Sequence, residues 1–304
     1  MSKPIDDAAA GHGGRRIHPG SGRRKAPMFP KGRLLQADER EAVRALLGDR
    51  EVRRDELIEY LHLIQDSEGC LPASHMHALA DIMGLAMAEI YEVASFYAHF
   101  DIVRDGEARP APVTIRVCES LSCELAGSEA LIAALEADTG ADVRVVRAPC
   151  MGRCATAPVC EVGHHHVDHA SSESVAAVID AKQFHPDVPD YTDFAAYRAD
   201  GGYAMLAACT SGERSVDDVI SVLSDGGLRG LGGAGFPTGR KWGFVRAAPK
   251  PRLMAVNADE GEVGTFKDRY YLETNPHQFL EGMLIGAWAV EADAVYLYLR
   301  DEYP

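Results

Sequence analysis

From about residue 37 the chain alternates short apolar and polar runs with a helical period. In "DELIEYLHLIQDSEG", Leu57, Tyr60, Leu61 and Ile64 recur at three- and four-residue spacings and so share one helical face. Gly69 ends that segment and Pro72 sits in the turn that follows. "SHMHALADIMG" and "AMAEIYEVASFYAHF" continue the pattern, with Leu79, Met83, Ile90, Val93 and Phe96 as the expected core positions. A small helical bundle over 37–108 is expected, although short helices in series also suit a helix-turn-helix.

The period changes after "EARPAP", whose two prolines read as a connector. "VTIRVCES" is a β-branched strand, and "GSEALIAALEADTG" is a helix starting near Gly127-Ser128. "DVRVVRAPC" is a second strand, "APVCEVG" and "HHVDH" form a hairpin, and "SSESVAAVIDA" is a helix opened by serine. Strand, helix, strand, hairpin and helix over 109–184 is the order of a small thioredoxin-like α/β domain. A Pro- and Tyr-rich connector with helices spans 185–225, where Val216, Val219, Ile220 and Leu223 share a face. Over 226–304 follow a glycine-rich loop, a strand "RLMAVNA", a helix "PHQFLEGMLIGAWAV" and a strand "AVYLYLR". The expected class is a multidomain α+β and α/β chain: bundle, thioredoxin-like domain, then the start of a further α/β domain.

Charge decides between the bundle and a nucleic-acid reader. The chain of 304 residues carries a net charge of −15. Residues 1–35 hold eight Lys/Arg against Asp6 and Asp7, which is +6, so the remainder carries about −21. Phosphate contacts need a positive surface, so an acidic body argues against nucleic acid as partner. The basic segment 1–36, rich in Gly, Pro and Arg, reads as a disordered or partner-docking arm. No apolar run reaches the ~18–20 residues of a membrane helix, and no secretory h-region opens the chain. The protein is expected to be cytoplasmic, where clustered cysteines hold metal more often than they form disulfides.

Four of the seven cysteines fall into two pairs, Cys118/Cys123 as C-x4-C and Cys150/Cys154 as C-x3-C. Each pair follows an expected strand of the same domain, and neighbouring strands would bring both loops to one end of the sheet. Structural zinc favours C-x2-C knuckles around one tetrahedral ion. The wider loops suit a [2Fe–2S] cluster, in which each iron takes two cysteines, with zinc as the alternative. Gly152 would let backbone N–H groups approach the cluster. Cys160 alternates with Val162 and reads as a small buried hydrophobe, while Cys70 and Cys209 carry no assignment. The run His164-His165-His166 with His169 could bind metal, but its period-two split between hairpin faces favours a surface strand.

"GLGGAG", Gly230 to Gly235, satisfies G-x-G-x-x-G. A Rossmann fingerprint needs a strand before it and a helix directly after. Here an amphipathic helix precedes and Pro237 follows, so that reading fails. The bare glycine backbone, with Lys241, still suits a phosphate. "VNADEGEVGTFKDR" leaves a strand and places Asn257, Asp259, Glu260 and Glu262 within six positions. It is either a solvated acidic loop or a set of polar groups for a ribityl chain and a nicotinamide.

Two resemblances bear on these motifs. The helices ending "SFYAHFDIV", with C-x4-C and "APCMGRC", resemble over about 37–184 the 24-kDa-type [2Fe–2S] subunit of NADH dehydrogenases. "GLRGLGGAGFPTGRKW" and "NADEGEVGTFKDR" resemble over about 203–304 their 51-kDa-type FMN- and NADH-binding subunit. The second resemblance implies Gly230, Gly232, Gly233 and Lys241 on the FMN phosphate side and Asn257, Asp259 and Glu260 on the flavin. It further implies Glu262 near the nicotinamide and Phe236 and Phe244 beside the NADH adenine. Leu231 and Val263 stand where that family usually has Arg and Pro. The family's later flavin segment and its [4Fe–4S] motif have no counterpart here, so a [4Fe–4S] cluster is expected only in a longer version of the chain, and little flavin on these 304 residues alone. Fusion of both modules resembles the β (diaphorase) subunit of NAD-dependent molybdenum or tungsten formate dehydrogenases. The implied cofactors are [2Fe–2S], FMN and NAD, and the implied partner is a molybdenum- or tungsten-containing catalytic subunit with further iron–sulfur clusters. NAD-reducing [NiFe]-hydrogenase and complex I-like diaphorases are the alternatives. A zinc-bearing helix-turn-helix regulator is the alternative of another class.

Overall fold

The computed structural model describes residues 33–231 and 233–300. Most of the basic arm, with Gly232 and the last four residues, lies outside them. Helices α1 (Ala37–Leu47), α2 (Leu57–Glu68), α3 (Ala73–Met83) and α4 (Met87–Phe96) form the expected bundle. Its centre is the face read from the sequence: Tyr60, Leu61, Ile64, Leu79 and Ile90 are fully buried. Each such side chain contributes about 1.5–3 kcal/mol. Tyr60 keeps its hydroxyl satisfied by accepting from the Arg53 amide (3.2 Å) and donating to Glu56 (2.8 Å). Gly69 ends α2 in the left-handed region at φ 68°, which a glycine adopts without steric cost. Met83 and Val93 pack partly buried against this core. Phe96 departs from expectation: it lies at the last position of α4, where the helix leaves the bundle, and is 80% exposed.

Strands β1 (Leu71–Pro72) and β2 (Ile102–Val103) pair in parallel and close the bundle. The thioredoxin-like part follows as β3 (Val113–Cys118), the short α5 (Leu121–Leu125), α6 (Ser128–Asp138), β4 (Val143–Ala148), β5 (Cys160–Val162), β6 (His165–Val167) and α7 (Ser172–Ala181). Its sheet order is β4-β3-β5-β6, with β3 and β4 parallel and the β5–β6 hairpin antiparallel. Ile115, Val117, Cys160 and Val162 face α6 and α7 in a shared apolar cluster, so Cys160 is core. Ser171 caps α7 by accepting from the Ser174 amide at 3.2 Å.

The bundle and this sheet are joined by polar groups. Gln65 on α2 donates to the His99 carbonyl (2.6 Å) and accepts from the Asp101 amide (2.9 Å). Arg116 on β3 donates to the same His99 carbonyl at 2.7 Å, and Arg144 on β4 pairs with Asp101.

The remainder comprises α8 (Phe194–Ala199), α9 (Ala204–Ser211), α10 (Val216–Asp225), α11 (Thr238–Ala247), β7 (Leu253–Ala258), α12 (Lys267–Thr274), α13 (Pro276–Val290) and β8 (Ala294–Leu299). β7 and β8 are parallel, in register from Leu253–Ala294 to Ala258–Leu299. A helix, α11, does follow the glycine loop directly, with Pro237 as its N-cap. Proline at a helix entrance fits because its fixed φ suits the turn and the first N–H groups need no partner. The Rossmann reading still fails on what comes before the loop, which is helix α10 and not a strand.

Candidate functional site

The parallel register pairs Cys118 with Ala148, so both strands end at the same edge of the sheet. The loops leaving them carry the two cysteine pairs. Cys118, Cys123 and Cys150 are buried, Cys154 is half-buried, and none of the seven cysteines is in a disulfide. Cys118 and Cys123 pack with Ala148, Met151 and Val159 in an apolar nest. The Cys150 and Cys154 sulfurs are 3.4 Å apart, and Cys118 and Cys123 share one buried cluster beside them. Crowding has an electrostatic consequence. The Cys118 and Cys150 thiols are both held above their ordinary range, Cys118 first by Cys123 and Cys150 first by Cys118, with burial adding to each. Four thiolates in so small an apolar space need a positive centre among them.

Backbone amides already point at the sulfurs. Gly152, at φ 70°, donates its N–H to Cys150 Sγ at 3.4 Å. The Gly264 N–H reaches Cys154 Sγ at 3.2 Å from 110 positions downstream. Arg269 donates to the Gly152 carbonyl (3.3 Å), and Arg300 donates to the Cys150 carbonyl and to that of Glu260 (3.1 Å). The segment after β7 is therefore fastened to the Cys150–Cys154 loop.

Around the glycine loop, Gly230 donates to the Phe236 carbonyl at 3.0 Å and Thr238 to that of Leu228 at 2.9 Å. The loop is thus a closed turn with its glycine backbone outside. Gly233 and Gly235 take φ values of 100° and 59°, where a side chain would be strained. Gly230, Gly233 and Lys241 are exposed, while Gly232 lies outside the described residues. Phe236 and Phe244 lie 6.3 Å apart between ring centroids, and the Arg240 guanidinium sits 5.8 Å from each ring. That separation is within cation–π range. Sequence reasoning missed Arg240, although "TGRKW" contains it.

At the C-terminal end of β7, Asn257 accepts from the Asp259 amide at 3.0 Å. Glu262 is exposed. Glu260 is 7% exposed and adopts φ 46°, a left-handed conformation costing about 1–2 kcal/mol for such a residue. One carboxylate oxygen of Glu260 accepts from the Asp268 and Arg269 (3.1 Å) amides at the start of α12. Its other oxygen, Oε1, is buried without a hydrogen-bond partner among the described residues. Of the residues assigned to the flavin, this one is turned inward, half satisfied and strained.

The histidine run also departs from the expected surface strand. His165 is 8% exposed and donates from Nδ1 to the His185 carbonyl (3.2 Å). His166 has both ring nitrogens buried without partners among the described residues, and burial pushes it down to about 4. His164 reaches across to Asp66 on α2 at 2.8 Å. The bundle covers the hairpin face that the local pattern leaves open.

Comparison with known proteins fits this geometry. Residues 43–183 match the thioredoxin-like [2Fe-2S] ferredoxin family, and residues 223–304 match the Nuo51 FMN-binding domain. Both modules lie in one chain. An NADH-quinone oxidoreductase component of Rhizobium meliloti is 49% identical over 118 residues, which are 38% of this chain and 28% of that protein. The NADH-quinone oxidoreductase component of Aquifex aeolicus is 46% identical over 108 residues, covering 36% and 25%. The crystal structure of an NAD+-reducing [NiFe]-hydrogenase in the air-oxidized state superimposes with a TM-score of 0.63 at 29% identity, over 82% of this chain and 46% of that one. The chain thus spans about a quarter of these curated relatives and just under half of the hydrogenase chain. The fold is a thioredoxin-like [2Fe–2S] module followed by the start of an FMN-binding module. The cofactors of these two modules are a [2Fe–2S] cluster and FMN.

The residues present suit these groups. Four converging thiols with amide donors are the donor set of a [2Fe–2S] cluster. The exposed backbone of the closed glycine turn suits a phosphate, and the Glu260 oxygen left without a partner among the described residues, just after the C-terminal end of β7, suits a donor group of a flavin. Among the described residues no helix is long and apolar enough to cross a membrane.

Proposed function

We propose that this chain is an electron-transferring subunit of an NAD(H)-linked oxidoreductase and that its physiological donor is formate. The observation that carries the first part is the joint between the modules. The loop after β7, which holds Asn257, Asp259, Glu260 and Glu262, donates the Gly264 N–H to Cys154 Sγ at 3.2 Å. In this reading Cys118, Cys123, Cys150 and Cys154 hold the cluster. Gly230, Gly232, Gly233 and Lys241 hold the flavin phosphate, with Asn257, Asp259 and Glu260 along the flavin. Phe236 and Phe244 receive the adenine, and Glu262 lies by the nicotinamide.

Flavin can accept electrons singly and pass them on in pairs, which is what joins one-electron clusters to hydride chemistry. This chain's residues bind, orient and screen, and no nucleophile or acid–base pair is required of them. Arg269 and Arg300 keep the flavin loop against the cysteine loop, and the apolar nest of Met151 and Val159 keeps water from the sulfurs.

Formate rests on the likeness of "GLRGLGGAGFPTGRKW" to the diaphorase subunits of molybdenum or tungsten formate dehydrogenases, which would supply the catalytic partner. A second reading, hydrogen as donor, is favoured by the likeness to an NAD+-reducing [NiFe]-hydrogenase. Metal analysis of the native complex, purified anaerobically through this chain, separates them. Iron with molybdenum or tungsten, and formate-dependent NAD⁺ reduction, is the expected result. Iron with nickel moves the module to a hydrogenase, iron alone favours a complex I-like assembly, and zinc without iron overturns the cluster.

A further inference from the structure

A second group of metal-ligating side chains lies where the helical bundle meets the thioredoxin-like sheet. It draws on none of the cysteines. His62 and Asp66 sit one turn apart on α2, His99 follows α4, Glu161 lies on β5, and His164 is in the β5–β6 turn. The ligand atoms of His99, Glu161 and His164 all lie within 4.8 Å of one another, as do those of His62, Asp66 and His99. The three imidazoles touch: His99 and His164 stack at 5.0 Å between centroids, and His62 stands 4.8 Å from His99. We propose that His99, Glu161 and His164 bind a divalent ion of the zinc class, with Asp66 as the residue that positions His164.

Four observations support this. First, the spacing suits the ion: zinc–nitrogen and zinc–oxygen bonds of about 2.0–2.2 Å in a tetrahedron put neighbouring ligands roughly 3.3–3.5 Å apart. The Glu161 oxygen is 3.8 Å from His99 Nδ1, so small side-chain rotations close the set. Second, two imidazoles and a carboxylate are a borderline donor set that suits zinc better than calcium or magnesium. Third, Asp66 is bonded to His164 at 2.8 Å, the carboxylate–histidine pairing that fixes the orientation of a ligating ring. Fourth, the charge leaves room for a cation. Asp55, Glu59, Asp66 and Glu161 line the cleft with Arg300, while Asp101 and Glu161 pair with Arg116 and Arg144, so five carboxylates stand against three guanidiniums and two net negative charges remain. A cleft of about 490 Å³, whose walls include His62, Asp66, His99, Glu161 and His164, gives a hydrated ion access.

The ligands come from the bundle and from the sheet, so the ion would fasten the two together. This holds whether or not the electron-transfer reading is right, because none of the cluster or flavin residues takes part.

The test uses the full chain with its iron centre intact, dialysed free of zinc and titrated with zinc(II) against a chromophoric competitor. X-ray absorption at the zinc edge then reads the ligand shell. The expected result is one zinc per chain with nitrogen and oxygen at about 2.0–2.2 Å and no sulfur near 2.3 Å. Asp66→Asn should weaken binding about 10–100-fold, while the visible absorption of the iron centre stays unchanged. Glu161→Gln and His164→Ala should weaken it further. Glu161→Gln and Asp66→Asn are close in shape to the natural side chains, so loss of binding in them is not loss of fold. No zinc retained at micromolar concentration, a sulfur shell, or binding indifferent to Glu161→Gln and His164→Ala would each overturn the proposal.

Discussion

Replacing Arg269 by alanine tests the joint between the modules. Arg269 is on α12, is 14% exposed, donates to the Gly152 carbonyl at 3.3 Å and pairs with Glu273 at 2.7 Å. Removing it leaves that carbonyl without its charged donor, but Glu273 keeps Arg153 at 3.5 Å. No carboxylate is therefore stranded. A hydrogen bond from a charged donor contributes about 1.5–3 kcal/mol, and the long donor–acceptor distance puts this one at the low end, about 1.5–2 kcal/mol. Arg300 still holds the Cys150 carbonyl, so the loop loosens without being released. If loop opening is what admits a chelator to iron held by Cys150 and Cys154, opening becomes about 10–30-fold more frequent at 1.4 kcal/mol per tenfold. The assay is anaerobic bleaching of the visible absorption by excess chelator, with far-UV circular dichroism as the control on folding. Arg269→Lys should fall between, because lysine keeps the charge but not the planar fork. Bleaching within about twofold of the parent, in a folded Arg269→Ala protein, refutes the reasoning.

Glu281 on α13 accepts from Tyr197 Oη (2.6 Å), the Tyr203 amide (2.9 Å) and the Leu206 amide (3.1 Å), so Glu281→Ala should cost about 2–4 kcal/mol in chemical denaturation. Burial alone would raise this carboxyl, but those three donors outweigh it and hold it below its ordinary value. Its contribution is then complete above the ordinary glutamate range and is lost as the pH falls below that range, so parent and variant should converge in acid. Gly163→Ala should lower stability by about 2 kcal/mol, because φ is +66° and a Cβ would meet the Phe184 backbone oxygen and Cβ at 2.9 Å; an unchanged melting temperature refutes it. Phe244→Ala in the native complex should raise KM for NADH several-fold with a smaller change in kcat, and an unaltered KM removes that ring from the adenine site.

Much of the fold is legible because its signals are local. The three-and-four spacing of Leu57, Tyr60, Leu61 and Ile64 and the β-branched run of β3 each state their own element. Their order then implies the parallel β3–β4 pair, and with it the convergence of Cys118 and Cys150. Two failures have a common cause. Phe96 reads as core because periodicity does not say where a helix leaves its bundle. His164 reads as surface because its partner, Asp66, is 98 positions away on a helix that covers the hairpin. Pro237 misleads in another way: a proline after a loop suggests a stop, whereas here it is the entrance to α11.

The contacts joining the two modules are illegible for a different reason. Gly264 offers a backbone N–H to Cys154, and Arg269 and Arg300 reach for the carbonyls of Gly152 and Cys150. One partner in each contact is main chain, so nothing in the residue pattern of one module names its counterpart in the other. The consequence is chemical as well as structural. An N–H donor to a ligating sulfur lowers the electron density that the sulfur passes to a metal, and two guanidiniums add positive charge nearby, so both favour the reduced state of a centre held there. In the proposed electron path, then, the cysteine site is tuned by a segment that begins about 110 residues after its last cysteine, and that same segment carries the polar groups assigned to flavin and nicotinamide. Rearrangement of that segment when nucleotide binds would be felt at Cys154 through a single hydrogen bond. Fusing the modules in one chain keeps that bond at a high effective concentration, which separate subunits must supply by docking alone.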